Sequence, residues 1–446
     1  MSELIVSVSG LRGIVGETLT EQVAARYAVA FAEQLPAGPI LVTRDGRASG
    51  PQLAGAIQSA LSSRGREVYD GNVTATPTTG VLVRYLGCAG AIQITASHNP
   101  VEYNGMKLMG GDGRVIPAAQ GQLVKQRFDV LDDVDLAGLT SGGATQNVCT
   151  DQPHRDLIME TVDVDRIRHA RFKVLLDSNH GAGSRLGRSL LRELGCDVTV
   201  LGEPADGLFD HLPEPTAENL SGICRQVLDR GAAVGFCQDP DADRLAVIDE
   251  NGQYTGEEYT LALCVDHVLR QRRGPIVANC STSRMSQDIA QRHGAPFYRS
   301  AVGEANVSDE MKVRQAIFGG EGNGGPIDPR VGYVRDSFVG MALILDAIAT
   351  QQSSVSELAG ALPRYFIEKT TLSIDPRQVS ELFDKLELVF CAADASRLDG
   401  LRLDWPDQWL LVRASNTEPI IRVVAEAASP DAVQSLCALI HQVVES

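Results

Sequence analysis

The sequence predicts an α/β protein: three tandem, similar α/β domains with mixed, mostly parallel sheets, followed by a C-terminal α+β domain. Three observations predict it. Short apolar strand segments alternate with amphipathic helical segments three times over, the pattern of covered, mostly parallel sheets. Each of the three stretches ends in a polar Gly- or Asp-rich loop after an apolar strand, which is where ligands of open α/β sheets bind. From about Phe366 the order changes to strand, helix, strands and helix. The 446 residues, at roughly 150 per domain, give about three domains as a prior. The order of the three stretches and the differing tail place boundaries near Thr150, Asn251 and Arg364, hence segments 1–150, 151–251, 252–364 and 365–446.

In the first stretch, PILVTRDG reads as a strand and PQLAGAIQSALSSRG as a helix with a Gly stop. REVYDG is a strand, and AGAIQIT is a buried strand running into ASHNP. In the second, FKVLLDSN is a strand, RLGRSLLRELG a helix and CDVTVLG a strand. AAVGFC is then a strand running into QDPDADR. In the third, GPIVANCS is a strand, MSQDIAQRHG a helix and APFYRSAVG a strand. A helix ending in MKVRQ follows, and AIFGG runs into EGNGG. The matched order of strand, helix, strand and terminal loop favours a true repeat. In the tail, VSELFDKLELVF reads as a helix, two strands flank DWPDQ, and IIRVVAEA is a strand. A last helix starts at Pro430 behind the N-cap Ser429.

Hydrophobic residues make up 43% and charged residues 22%, a globular balance that excludes whole-chain disorder. The formal charge of −17 excludes nucleic-acid binding through a basic face. It also makes isolated Arg and Lys beside Gly-rich loops informative. No apolar run reaches the roughly 18 residues of a membrane helix, so no membrane partner is expected. The start MSELIVSVSG lacks the basic and long apolar regions of a signal peptide. The nine Cys are odd in number, scattered and never spaced CxxC, as expected of buried thiols in a reducing compartment. A cytoplasmic protein is the expectation.

The sharpest chemical signal is Asp239-Pro240-Asp241-Ala242-Asp243-Arg244, three carboxylates at alternate positions between two apolar runs. Such carboxylates can converge on one Mg²⁺, which prefers a few hard oxygens and keeps open positions for phosphate. An EF-type Ca²⁺ loop is excluded, because Arg244 stands where that loop requires Gly and the flanks read as strands. A phosphatase with an Asp nucleophile remains open on this spacing. The second signal is Thr95-Ala96-Ser97-His98-Asn99-Pro100, followed by Tyr103-Asn104-Gly105-Met106-Lys107. A Ser at a buried strand end is placed for nucleophilic chemistry, with His98 or Lys107 for proton and charge handling; a plain Ser/Thr turn is the alternative. There is no GxSxG elbow. Arg413-Ala414-Ser415-Asn416-Thr417-Glu418-Pro419 combines a guanidinium with hydroxyls and an amide that can surround a phosphate. Gly319-Gly320-Glu321-Gly322-Asn323-Gly324-Gly325 lets backbone approach a ligand, with Glu321 and Asn323 available to sugar hydroxyls. Gly181-Ala182-Gly183 hints at dinucleotide binding, but Gly187 lies one residue too far for GxGxxG. Those glycines read as strand-to-helix turn residues.

In combination, these motifs resemble the α-D-phosphohexomutase family of phosphoglucomutase, phosphomannomutase and phosphoglucosamine mutase, over essentially the whole chain. The pattern is nearest to the archaeal-type phosphoglucosamine mutase branch, with GEGNGG and the upstream SAVGEANV. The resemblance implies that TASHNP carries a phosphoserine at Ser97 in the active form. It implies one Mg²⁺ per active site held by Asp239, Asp241, Asp243 and Ser97, with Arg244 nearby. Arg413, Ser415, Asn416 and Thr417 would hold the substrate phosphate, and Glu321 and Asn323 the sugar. Gly10-Leu11-Arg12-Gly13 and Lys107 match the family's active-site Arg and Lys motifs, so Ser97, Lys107, His98 and Arg12 form the expected catalytic set. The commonest sugar loop has Gly-Glu-x-Ser-Gly-His; here Asn323 replaces Ser and Gly325 replaces His, so the role of that His does not transfer. The implied activity interconverts hexose 6-phosphate and hexose 1-phosphate through a hexose bisphosphate, most consistently as a phosphoglucosamine mutase. Phosphomannomutase or phosphoglucomutase specificity, a metal-dependent phosphatase and a non-catalytic sugar-phosphate binder are the alternatives. A homodimer is compatible with the resemblance.

Overall fold

A computed structural model of the chain describes residues 4–7, 10–134, 145–148, 150–414 and 420–445. Three successive segments share one topology. In the first, strand Ile40–Arg44, helix Gly50–Ser63, strand Val68–Val73, helix Thr76–Tyr85, strand Gly90–Ile94 and strand Tyr103–Gly110 follow in order. The second repeats this with Lys173–Asp177, Ser184–Glu193, Asp197–Leu201, Ser221–Arg230, Val234–Gln238 and Leu245–Ile248. The third runs Ile276–Asn279, Met285–Arg292, Phe297–Ser300, Glu304–Arg314, Phe318–Glu321 and Gly325–Ile327.

In every copy the first strand lies between the second and third, both parallel to it, and the fourth pairs antiparallel with the third. The sheets are therefore mixed, and the matched strand order is the repeat that the sequence pattern predicts. Helices alternate with the parallel strands, and the third strand of the first two copies is mostly apolar, with Gln93 and Gln238 as buried polar residues. Gly90–Ile94 and Val234–Gln238 are buried at every position. The first sheet also gains the hairpin Ile5–Ser7 and Gly10–Ile14 on the Tyr103–Gly110 edge, with Arg12 opposite Gly105 and Gly10 opposite Lys107. That pairing brings the N-terminal Arg motif beside the lysine strand.

The second and third segments share one core, in which helix Ser337–Gln351 is buried over almost its whole length. Its N-cap Asp336 accepts from the Phe338 and Val339 backbone N–H groups. A buried relay anchors the same end: Thr78 meets His154 Nδ1 at 2.9 Å, and His154 Nε2 meets Asp336 at 2.7 Å. The first three segments are tied together there.

The C-terminal segment is a five-stranded antiparallel sheet in the order Phe366–Ser373, Ile420–Ala427, Gln408–Ala414, Leu401–Asp404 and Asp394–Ser396. Helices Val379–Val389 and Pro430–Glu445 complete a separate core. It joins the third segment through Glu426, whose Oε1 accepts from Trp409 Nε1 at 2.6 Å and from the Arg284 backbone N–H at 3.0 Å. The Arg402 guanidinium stacks 3.9 Å over the Trp409 ring and donates to the Cys280 carbonyl. Among the described residues no helix is long and apolar enough to cross a membrane. The described cysteines are free, and most are buried.

Candidate active site

The three polar loops follow the third strand of each copy, at the carboxyl end of the parallel array, and they meet around one cavity. Ser97 lies just beyond strand Gly90–Ile94, in a left-handed conformation at φ +50°, and is 3% exposed. Its backbone N–H donates to Thr95 Oγ1 at 2.9 Å, and Thr95 Oγ1 donates to Asp45 at 2.7 Å. Asp45 is paired with Arg47, itself wholly buried. The Arg47 guanidinium donates to the carbonyls of Ser97, Asn99, Pro100 and Tyr103 at 2.6–3.0 Å. One cation thus ties down the whole turn that presents the serine, which offsets the strain at a non-Gly left-handed residue.

The Ser97 hydroxyl donates to Asp239 Oδ2 at 2.8 Å. Asp239, Asp241 and Asp243 are each fully buried, and one carboxylate oxygen from each lies within 4.8 Å of the others. Local bonds shape their loop. Asp239 accepts the Arg244 backbone N–H at 3.1 Å, Ala242 turns at φ +57°, and Thr76 donates to Asp241 through both its backbone N–H and its hydroxyl. The floor is the Gly181–Gly183 turn. A Cβ on Gly181 would lie 2.7 Å from the Pro240 carbonyl oxygen, and one on Gly183 would meet the Gln238 amide at 2.2 Å. The glycine pair therefore makes room for the acidic loop. Burial, with Asp243 and Asp241 beside it, raises the Asp239 pKa well above the carboxylate range. Burial acts the same way on Asp243, but Arg335, Lys107 and Arg244 outweigh it and hold that carboxyl below its ordinary value. Asp241 Oδ1 and Asp243 Oδ1 are buried with no hydrogen-bond partner. Three converging carboxylates with two orphaned oxygens fit a small hard cation such as Mg²⁺.

Basic side chains ring this centre. Lys107 Nζ donates to Asp241 and Asp243, each at 2.6 Å. Burial alone would depress its pKa, but the two carboxylates win and raise it. Arg12 donates to Asn99 Oδ1 at 2.7 Å. His98 Nδ1 is 3.4 Å from Ser97 Oγ. Burial, then Arg244 and Arg12, push the His98 pKa down to about 3, so the imidazole is neutral at neutral pH. A cavity of about 500 Å³ opens between Arg12, Lys107, Arg244, Glu321, Asn323 and Arg335. Glu321 accepts from Asn279 Nδ2 at 2.6 Å and from the Gly303 backbone N–H at 3.1 Å. Asn323 Oδ1 is buried without a partner.

The sequence-predicted residues Arg12, Ser97, His98, Lys107, Asp239, Asp241, Asp243, Arg244, Glu321 and Asn323 therefore gather at one place. Arg413 does not line the cavity. It pairs with Asp399 at 2.9 Å, and Asp399 accepts from the backbone N–H of Val302, which does line it. Ser415, Asn416 and Thr417 lie outside the described residues. Sequence reasoning missed Arg47, Thr76, Glu304 and Arg335. Arg47 left a trace, an Asp-Gly-Arg at a strand end; Arg335 stands alone in YVRDS and leaves none.

The sequence matches four domain families in order: phosphoglucomutase/phosphomannomutase alpha/beta/alpha domain I over residues 4–134, domain II over 152–252, domain III over 256–366, and the C-terminal domain over 375–443. A phosphoglucomutase/phosphomannomutase of Thermococcus kodakarensis is 36% identical over 435 residues, covering 95% of this chain and 94% of that protein. A phosphoglucosamine/phosphogalactosamine mutase of Sulfurisphaera tokodaii is 31% identical over 451 residues, covering 99% of each. Among solved structures, a phosphoglucomutase/phosphomannomutase family protein from Burkholderia thailandensis superimposes with a TM-score of 0.82 at 27% identity, over 99% of this chain and 97% of that one. With all four domains matched in order and a third of the residues shared along nearly the full length, the chain belongs to the phosphoglucomutase/phosphomannomutase family of isomerases.

Proposed function

We propose that the protein interconverts hexose 6-phosphate and hexose 1-phosphate through a phosphorylated Ser97 and a bisphosphorylated sugar, with glucosamine phosphate as the preferred substrate. The observation that carries the reading is the Ser97 hydroxyl bonded at 2.8 Å to a buried aspartate of a three-carboxylate cluster. Asp239, Asp241, Asp243 and Ser97 would hold Mg²⁺. When bound, the ion offsets phosphoryl charge and supplies Lewis acidity at the phosphoryl oxygens.

A phosphoserine carries about two negative charges near neutral pH, and the chain meets them with Lys107, Arg12 and Arg244 around the cavity. A sugar hydroxyl attacks phosphorus, the bond from phosphorus to Ser97 Oγ breaks, and the hydroxyl proton ends on Oγ. The bisphosphorylated sugar turns over, and its other phosphoryl group passes to Ser97 by the same step reversed. Positioning and charge dominate such transfer. Lys107 provides a fixed positive charge, and neutral His98 offers a hydrogen bond beside Oγ. Glu321 and Asn323 orient the sugar, and Arg413, with Ser415, Asn416 and Thr417, binds the phosphate that is not reacting. Asp239 makes a poor nucleophile for the phosphatase alternative, because one of its oxygens accepts from Ser97 and the other from the Arg244 N–H. The glucosamine preference draws on relatives such as the Sulfurisphaera enzyme.

The test is a coupled assay with Mg²⁺ and a trace of hexose bisphosphate, run on glucosamine, mannose and glucose 6-phosphates side by side. Formation of 1-phosphates, fastest from the glucosamine substrate, is expected. No interconversion of any of the three would remove the reading.

A further inference from the structure

Arg335 occupies the place of a missing side chain. Gly325 closes the sugar loop, and a Cβ built on it would lie 2.4 Å from Arg335 Cδ, 2.8 Å from Cγ and 3.1 Å from Cβ. The aliphatic stem of Arg335 thus fills the volume that any larger residue at 325 would need. The guanidinium at the end of that stem fans across three carboxylates, one from the acidic loop of the second segment and two from the third. Nη2 donates to Asp243 Oδ2 at 2.6 Å, Nη1 to Glu321 Oε2 at 2.9 Å and Nε to Glu304 Oε2 at 3.2 Å. Arg335 is 7% exposed and still borders the cavity. Its backbone has little freedom. The Arg335 N–H donates to Glu304, and the next residue, Asp336, both caps the buried helix and donates its N–H to the Pro326 carbonyl at 2.8 Å.

We propose that Arg335 is a positioning residue that locks the acidic loop to the sugar loop, and that Gly325 and Arg335 act as one coupled feature. The planar fork holds Glu321 and Asp243 in a single fixed relation, so sugar orientation and the geometry at Ser97 are set together. A lysine at 335 keeps the charge but presents a single point and spans only part of the three-carboxylate fan. The proposal rests on the phosphohexomutase reading for its kinetic consequence, and on packing alone for the pairing with Gly325.

The experiment is a double-mutant cycle on the full chain, Gly325→Ala and Arg335→Ala singly and together, with Arg335→Lys alongside. Thermal midpoints and steady-state kcat and KM for a sugar 6-phosphate are read for each. In Arg335→Ala, KM is expected to rise and kcat to fall, each by about tenfold or more, because a loop displaced by a fraction of an ångström loses alignment. Arg335→Lys should recover part of the loss, and millimolar guanidinium added to Arg335→Ala should recover part of kcat/KM, which a purely structural defect would not allow. Gly325→Ala should lower the midpoint in the wild-type background and not in the Arg335→Ala background. A folded Arg335→Ala with wild-type kcat and KM overturns the positioning role, and an equal Gly325→Ala penalty in both backgrounds overturns the pairing. If Arg335→Ala does not fold, Arg335→Lys decides, and wild-type constants in that variant count against the role. If the wild type interconverts no sugar phosphate, the functional reading fails, and the thermal cycle still decides whether residues 325 and 335 share one volume.

Discussion

The Ser97 hydroxyl lies 2.8 Å from Asp239 Oδ2, although the two residues are 142 positions apart in the chain. Two copies of one topology, each ending its third strand in a polar loop, put those loops face to face. The contact is thus a product of the repeat, and no local sequence feature encodes it.

Ser97→Ala should abolish turnover and leave the fold intact. The lost hydrogen bond is worth about 1 kcal/mol net, and Asp239 keeps the Arg244 N–H on its other oxygen. A thermal melt close to wild type, together with no detectable mutase activity, is the expected pair of results.

Asp241→Asn should weaken Mg²⁺ binding, because its unpartnered Oδ1 loses its share of the negative charge. Thermal melts with increasing Mg²⁺ check this. The wild-type midpoint should rise with the ion, and the variant's should rise less and only at higher concentration.

Arg47→Met should be among the most damaging single changes outside the cavity. It leaves Asp45 buried without its cation and four carbonyls without their donor. The expected cost is about 3–5 kcal/mol, read from denaturant unfolding, and surviving protein should turn over slowly because the Ser97 turn has lost its clamp.

Arg413→Ala should raise KM for the sugar phosphate by about tenfold or more, through loss of a charge-assisted phosphate contact, with a smaller effect on kcat. Steady-state kinetics against sugar 6-phosphate concentration decide the split.

Glu258 gives a pH prediction away from the acidic loop. Burial, then the neighbouring Glu257, raise its pKa to about 8, against the Ser283 N–H that it accepts. The folded state therefore holds an extra proton between the unfolded pKa and about 8. Stability from this group falls as pH rises through that window and levels off above it. Glu258→Gln should flatten the decline, and melts from pH 5 to pH 9 should show the variant gaining on the wild type toward the alkaline end.

The repeat was legible because buried strands must be mostly apolar, as Gly90–Ile94 and Val234–Gln238 are apart from Gln93 and Gln238. The acidic loop was legible because three buried carboxylates at alternate positions have few uses other than holding a cation. Arg47 and Arg335 escaped notice for the opposite reason. A single arginine takes its meaning from its partners, and Ser97, Asn99 and Asp243 stand 50, 52 and 92 positions from the arginine that binds them. The N-terminal hairpin's place in the first sheet was hidden too, because strand pairing at an edge is set by long-range register, with Arg12 opposite Gly105.

The central claim is that Ser97 carries the phosphoryl group within reach of the aspartate cluster. The most direct measurement is to incubate the protein with ³²P-labelled hexose bisphosphate and Mg²⁺ and then map the labelled residue. The account predicts an acid-stable phosphoryl group on Ser97 that passes to unlabelled sugar phosphate on chase. An acyl phosphate on Asp239, or a label on Ser97 that sugar phosphate does not remove, would contradict it.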